Sequence, residues 1–206
     1  WSTAPEKLEE SLTQLLKVSP EEIVKFLQDI LDALFEILVG NHDPFRLDDL
    51  VFQCLLKLIE IVSDKKYQHF QSVLDLYINK NFSSTLAYDK LINVLERHFL
   101  DAFNCIEKET NRMSDNDNPS EGKLFKTIKN LQYIMKFIIR SRQLYAEINK
   151  DDGKFKFETR LEELMGLFVQ LIQMPVPLLR SQGAIFKYLH VIASDLVEVY
   201  DPLKLR

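Results

Sequence analysis

Apolar residues return every three or four positions along most of this chain, and little interrupts them. The clearest stretch is residues 64–95. Tyr67, Phe70, Leu74, Tyr77 and Ile78 fall at helical spacing on one face, and Leu86, Leu91, Val94 and Leu95 begin a second. Asn79-Lys80-Asn81 breaks the first helix. Ser83, Ser84 or Thr85 can cap the second by offering a side-chain oxygen to a free backbone N–H. The stretch reads as a helical hairpin with a tight joint. Five glycines and seven prolines leave few turn residues, while fourteen Phe and seven Tyr supply bulky packing groups. That combination points to helices packed on helices.

The same pattern extends in both directions. Residues 5–17 form a short helix with Leu8, Leu12, Leu15 and Leu16 inward. Ser19-Pro20-Glu21-Glu22 is a helix start. Ser19 sits at the cap, Pro20 fixes φ at the first helical position, and Glu22 completes a capping box. The helix over 20–39 buries Ile23, Phe26, Leu27, Ile30, Leu31, Leu34, Ile37 and Leu38, and Gly40 ends it in a left-handed conformation.

Asp43-Pro44 opens the next unit. Its stripe of Leu47, Leu50, Val51, Cys54, Leu55, Leu58, Ile59 and Val62 is wide enough to be covered on more than one side. Residues 109–122 read as a mobile polar loop. One long helix is expected over 123–148, with Leu124, Ile128, Leu131, Met135 and Ile138 inward. Asp151-Asp152-Gly153 turns the chain. A helix over 157–173 carries Leu161, Leu164, Phe168, Leu171 and Ile172 inward, and Pro175 and Pro177 stop it. A last helix covers 180–199, and Asp201-Pro202 closes the region.

Units of two helices recur at roughly 40 residues, the armadillo/HEAT period. The expected fold is therefore all-α, an armadillo/HEAT-like helical repeat, or α-solenoid, of antiparallel helix pairs in one domain over residues 1–206. A compact helical bundle is the alternative. Such a length buries roughly 70% of the unfolded surface. Trp1 in place of Met suggests a piece of a larger protein.

Several chemistries are excluded. The formal net charge of -5 argues against a nucleic-acid footprint. No run approaches the ~20 apolar residues that span a bilayer. Cys54 and Cys105 read as reduced thiols, in keeping with a cytoplasmic location. No glycine pair has phosphate-loop spacing. His42, His69, His98 and His190 show no zinc spacing, and His98 with Cys105 makes two ligands at most. If Gly153 takes the sixth place of a calcium loop, Ile148, Lys150 and Thr159 fall where ligands are required, so that reading fails. Asn81-Phe82-Ser83 is a glycosylation sequon by letter only, with Phe82 expected in the core. No catalytic, cofactor-binding or metal-binding residue is assigned, and no cofactor is implied.

Two charged stripes remain. Lys126, Lys129, Tyr133, Lys136 and Arg140 follow i+3/i+4 steps with Arg142 nearby. They form either a solvated face or a contact for an acidic partner or an anionic membrane. Asp29, Asp32 and Glu36 make an acidic stripe that Lys25 partly offsets. The carboxylates Glu21, Glu22, Asp48 and Asp49 stand at helix starts, where the helix dipole favours them.

The wording of the central stretch carries a resemblance. "DKKYQHFQSVLDLYI" followed by "NFSSTLAYDKLINVL" resembles the middle helical region of the dedicator-of-cytokinesis (DOCK) family. "EIVKFLQDILDALFEIL", "LQYIMKFIIRSRQLY" and "GAIFKYL" agree in the same order, and "QHF" and "SSTLAY" lean toward the founding, Rac-activating subgroup. The resemblance implies a segment of a large cytoplasmic exchange factor for Rac-type small GTPases, recruited to the plasma membrane. It would be a non-catalytic scaffold between a lipid-binding domain and a separate exchange domain. Implied partners are other domains of the parent, an engulfment-and-motility (ELMO) adaptor and Rac. Self-association through the cut ends of the stack is a further expectation. The alternatives are the exchange module itself, or an unrelated peptide-binding helical adaptor.

Overall fold

A computed structural model describes residues 5–41, 47–109, 119–150, 153–174 and 179–197. Among them the chain forms ten α-helices and no strand: α1 (Pro5–Leu15), α2 (Pro20–Lys25), α3 (Leu27–Gly40), α4 (Leu47–Ser63), α5 (Gln71–Leu76), α6 (Ala87–Glu109), α7 (Pro119–Lys129), α8 (Leu131–Asn149), α9 (Lys154–Gln173) and α10 (Leu179–Leu196). A 3-10 segment, Lys65–Phe70, leads into α5, and a π segment, Tyr77–Asn81, follows it. These three pieces make one composite rod.

The rods alternate between two layers. In the first, α1 packs on α4, α4 on α6, and α6 on α9. In the second lie α2 with α3, the composite rod, α7 with α8, and α10. There the π segment packs on α8, and α10 packs on α7 and α8. Contacts between layers join α3 to α4, α6 to α7 and α8, and α9 to α10. Each rod thus meets mainly the next rod and the one after it, the pattern of stacked helix pairs. The expected all-α helical repeat is the fold observed.

Apolar periodicity places the core correctly in most rods. α4 buries Val51, Phe52, Cys54, Leu55, Leu56, Leu58, Ile59, Ile61 and Val62, so it is enclosed on several sides. In the composite rod Tyr67, Leu74, Tyr77 and Ile78 are buried and Phe70 is half-buried. Phe82, the middle residue of the sequon, is core, and stacks with Phe35 of α3 and Phe137 of α8 at ring separations of 4.7 and 5.3 Å. Each such pair adds about 0.5–1.5 kcal/mol beyond the area it buries. The π segment makes this cluster geometrically accessible. Its wider turn ends with the Phe82 N–H donating to the Tyr77 carbonyl at 2.8 Å, which brings residues five apart to one face.

Several local expectations are corrected. The helix over 20–39 is two helices, broken at Phe26 (φ -118°, ψ 25°), and Phe26 is 55% exposed instead of buried. Ser19 has extended backbone at the cap but makes no side-chain cap bond, and Glu22 pairs with Lys25 at 2.6 Å instead of closing a capping box. That pairing also takes Lys25 away from the acidic stripe. Gly40 is helical, and the turn out of α3 falls at Asn41 (φ -81°, ψ 124°). The helix over 123–148 is likewise two helices, broken at Asn130 (φ -101°, ψ 2°). Leu86 is 47% exposed. It lies in the turn ahead of α6 and does not start the buried face. α7 already begins at Pro119, so the end of the polar run is helical. The remaining positions of that run, 110–118, lie outside the described residues. So do Asp43-Pro44, Asp151-Asp152, Pro175, Pro177, Asp201-Pro202, His42 and the Cys105 side chain.

Candidate functional site

The layers are joined by polar side chains that reach across 40 to 70 residues of sequence. The densest junction centres on Asp49, in the first turn of α4. Its Oδ1 accepts from His98 Nε2 of α6 at 2.6 Å and from Lys123 Nζ of α7 at 3.2 Å, and its Oδ2 accepts from Gln53 at 2.8 Å. His98 Nδ1 lies 3.1 Å from the Thr127 hydroxyl of α7. His98 and Thr127 are buried at 3% and 0% exposure, so a polar group here needs partners to offset lost hydration. The hydrogen bond from His98 holds the Asp49 carboxyl well below the usual carboxylate range, while burial lowers the His98 pKa. The neighbouring Asp48 is also buried, and meets Lys90 of α6 at 3.0 Å and Asn41 at 2.9 Å. The two aspartates favour the helix start electrostatically and also fasten α4 to α6.

A second junction is Arg160 of α9. Its guanidinium donates to Asp89 at 2.7 Å, Asn93 at 2.9 Å and Glu96 at 2.8 Å, three residues on successive turns of α6. A third is Ser141 of α8, fully buried. Its Oγ accepts from the Tyr88 N–H at 2.9 Å and donates to the Ser84 carbonyl at 2.7 Å. The start of α6 is therefore capped from another helix. The Tyr88 N–H donates to Ser141 and not to Ser83, Ser84 or Thr85. Elsewhere Glu21 of α2 accepts from Lys66 and Tyr67, both at 2.6 Å, and the Lys66 bond does most to pull its carboxyl down to about 2. Tyr77 donates to Asp32 of α3 at 2.7 Å, which ties one member of the acidic stripe to the composite rod.

The basic stripe is placed as follows. Lys126 ends up on α7, and Lys129 is the last residue of that helix. Tyr133, Lys136 and Arg140 follow on α8, beyond the break. Lys126 and Lys129 both approach Glu60 of α4, at 3.2 and 3.7 Å. Lys136 meets Asp75 of α5 at 2.9 Å and lies over the Tyr133 ring at 4.9 Å. Arg140 lies 4.0 Å from Glu147 on its own helix. Tyr133 is buried. Arg142 is buried as well, with the rings of Tyr145 and Phe157 at 5.4 and 5.5 Å. The stripe is thus not a bare line of cations: each of its four charges has a carboxylate of the same chain within 4.0 Å.

The sequence carries no sign of the roles of Arg160 and Ser141, and it presents Asp49 only as a helix-start carboxylate and His98 only as one of two possible metal ligands, because no local motif contains the partners of any of the four. One signal was present for His98. It continues the buried face of Leu91, Val94 and Leu95 at helical spacing, and a polar ring on such a face requires a partner. Cys54 is a buried free thiol, pushed up to about 12 by burial, and is chemically quiet. Among the described residues no group of three or more His, Cys, Asp or Glu could hold a metal ion. Nor is any helix among them long and apolar enough to cross a membrane.

Fold and junctions together define the class: an all-α repeat segment whose polar residues serve helix-to-helix contacts. A family model described as the dedicator of cytokinesis (DOCK) TPR region matches residues 4–206. The chain belongs to the dedicator of cytokinesis family. It is 32% identical over 204 residues to dedicator of cytokinesis protein 3 of Mus musculus and of Homo sapiens, covering 97% of this chain and 9% of each relative. It is 30% identical over 205 residues to dedicator of cytokinesis protein 4 of Homo sapiens, covering 98% of this chain and 10% of that relative. The matched region is a helical repeat region of the family. Tetratricopeptide and armadillo repeats are both stacks of antiparallel helices and differ mainly in period.

Proposed function

We propose that this chain is the helical spacer of a guanine nucleotide exchange factor for Rac-type small GTPases. It holds a lipid-binding domain and the exchange domain at a set separation in cytoskeletal signalling. The parent works in the cytoplasm and at the plasma membrane, with an ELMO-type adaptor and Rac as partners of the parent chain. Family membership supports the setting. The observation that carries the spacer role is the set of long-range junctions at Asp49, Arg160 and Ser141, each of which fixes one rod against another. Buried and half-buried networks of this kind hold a single arrangement of the helices.

The basic stripe fits the same reading. Lys126, Lys129 and Lys136 reach from α7 and α8 to α4 and α5, and any contact with an acidic partner or an anionic membrane is secondary. Reversing Lys129 and Lys136 to Glu is therefore expected to lower stability while leaving retention on anionic vesicles unchanged. A loss of vesicle binding without a loss of stability would return the stripe to the role of a docking face.

The exchange reading is tested directly. Mixed with a Rac-type GTPase loaded with fluorescent nucleotide, the chain is expected to leave the release rate at its intrinsic value. Acceleration would show that the chain is itself an exchange module. In the parent protein, Arg160→Ala combined with Ser141→Ala is expected to broaden the distance between flanking domains, read by paired fluorophores. An unchanged distance distribution would reject the spacer role.

A further inference from the structure

We propose that the cavity between the turn after α1 and helices α4, α6 and α7 binds a phosphate monoester carried on a small organic body. The cavity has a volume of about 380 Å3, within the range of small-ligand sites. Its polar lining is Lys57, Lys123 and Lys126 with Gln53 and His98, and Leu16 and Leu56 supply an apolar wall. Among the described residues no carboxylate lines it, although the chain as a whole carries a formal charge of -5. A second cavity, of about 210 Å3, shows the contrast: Asp75 and Asp195 stand there beside Lys136 and Arg140, so its charges balance.

The lysines are positioned and are not exhausted. Lys57 is held from behind by the carbonyls of Leu16 and Val18, at 2.5 and 2.9 Å. An ammonium group has three donors, so one remains. Lys123 reaches Asp49 at 3.2 Å, and Lys126 reaches Glu60 at 3.2 Å, with side chains 42% and 43% exposed. Both ammonium groups stand partly in solvent, and the Lys126–Glu60 pair, exposed on both sides, is the weaker of the two and the readier to exchange partners. A phosphate monoester carries a charge of about -1.5 to -2 at pH 7 and three strong acceptor oxygens. It matches three ammonium groups better than a monoanion does. Leu16 and Leu56 would take the carbon body.

The test is calorimetric titration of the chain with phenyl phosphate at low salt. Saturable binding is expected, with phenyl sulfate, a monoanion, binding more weakly. The Lys123→Gln/Lys126→Gln double variant should weaken phenyl phosphate by roughly tenfold or more, the scale of losing charge-assisted hydrogen bonds. Glu60→Gln removes a competing carboxylate and should tighten binding, so the proposal does not rest on a loss alone. Vesicles containing phosphatidic acid identify the source of the ester. If both vesicles and phenyl phosphate bind and both depend on Lys123 and Lys126, a lipid headgroup enters the site. If phenyl phosphate alone binds, the ligand is a soluble ester. No saturable binding, binding to vesicles alone, or equal affinity in the double variant would overturn the proposal. None of these outcomes bears on the spacer role, which is read by domain separation.

Discussion

At the scale of single residues, stability depends on a few polar groups sealed between helices. Ser141 is the sharpest case, because one hydroxyl serves both the Tyr88 N–H and the Ser84 carbonyl. Ser141→Ala leaves both without that partner, and should cost about 1–2 kcal/mol in urea unfolding. A change within a few tenths would mean that water replaces the hydroxyl. His98 sets a pH dependence. Burial places its folded pKa below the ordinary value of 6.5. As pH falls past about 6.5 the unfolded chain takes up a proton that the folded chain resists, so stability declines between pH 7 and 5. Asp49 acts in the same direction at lower pH. Its folded pKa is depressed, so its contribution is present above about 3.9 and lost as pH falls below. The His98→Gln variant should show a flatter profile from pH 7 to 5. Wild-type stability that rises on acidification over that interval would contradict this assignment.

At the scale of elements, α8 and α9 meet at a joint with two left-handed residues, Lys150 (φ 50°) and Gly153 (φ 73°). Only glycine takes that conformation without steric cost. Lys150→Gly is therefore expected to stabilise the chain by roughly 1 kcal/mol, and Gly153→Ala to destabilise it by a similar amount, both measured by thermal or urea unfolding. The same scale shows what periodicity reveals. Leu124, Ile128, Leu131, Met135 and Ile138 are all buried as their spacing predicts, yet the helix that carries them is broken at Asn130. The break keeps the apolar phase, so the stripe gives no sign of it. Its cause lies in polar residues: Thr127 and Asn130 donate back to the Lys123 and Lys126 carbonyls, at 3.1 and 2.8 Å, a competition with the backbone that bends helices. Periodicity is blind to the π segment for a similar reason, since Tyr77 and Phe82 are five apart and fit no 3.6-residue face. The junctions were illegible because their partners are set by tertiary packing. Asp49 and Lys123, for example, are brought together only when α4 and α7 dock.

At the scale of the whole molecule, cohesion is expected to depend on the aromatic cluster joining α3, the composite rod and α8. Phe82→Ala should cost about 3–5 kcal/mol, the usual penalty for emptying a packed aromatic site. The loss should appear as earlier unfolding of the entire chain in hydrogen exchange, since the cluster spans three rods. Exchange that quickens only around residues 77–87 would show that the repeats melt one at a time.

Among the described residues the breaks within rods fall on one side. Phe26, the composite rod and Asn130 lie in the second layer, whereas α4, α6 and α9 run unbroken through the first. A rod broken midway offers two short faces at an angle, and each half can meet a different neighbour. α8 packs on the π segment, while α7 carries the lysines that reach Glu60 of α4; a single straight helix through Asn130 could not serve both directions.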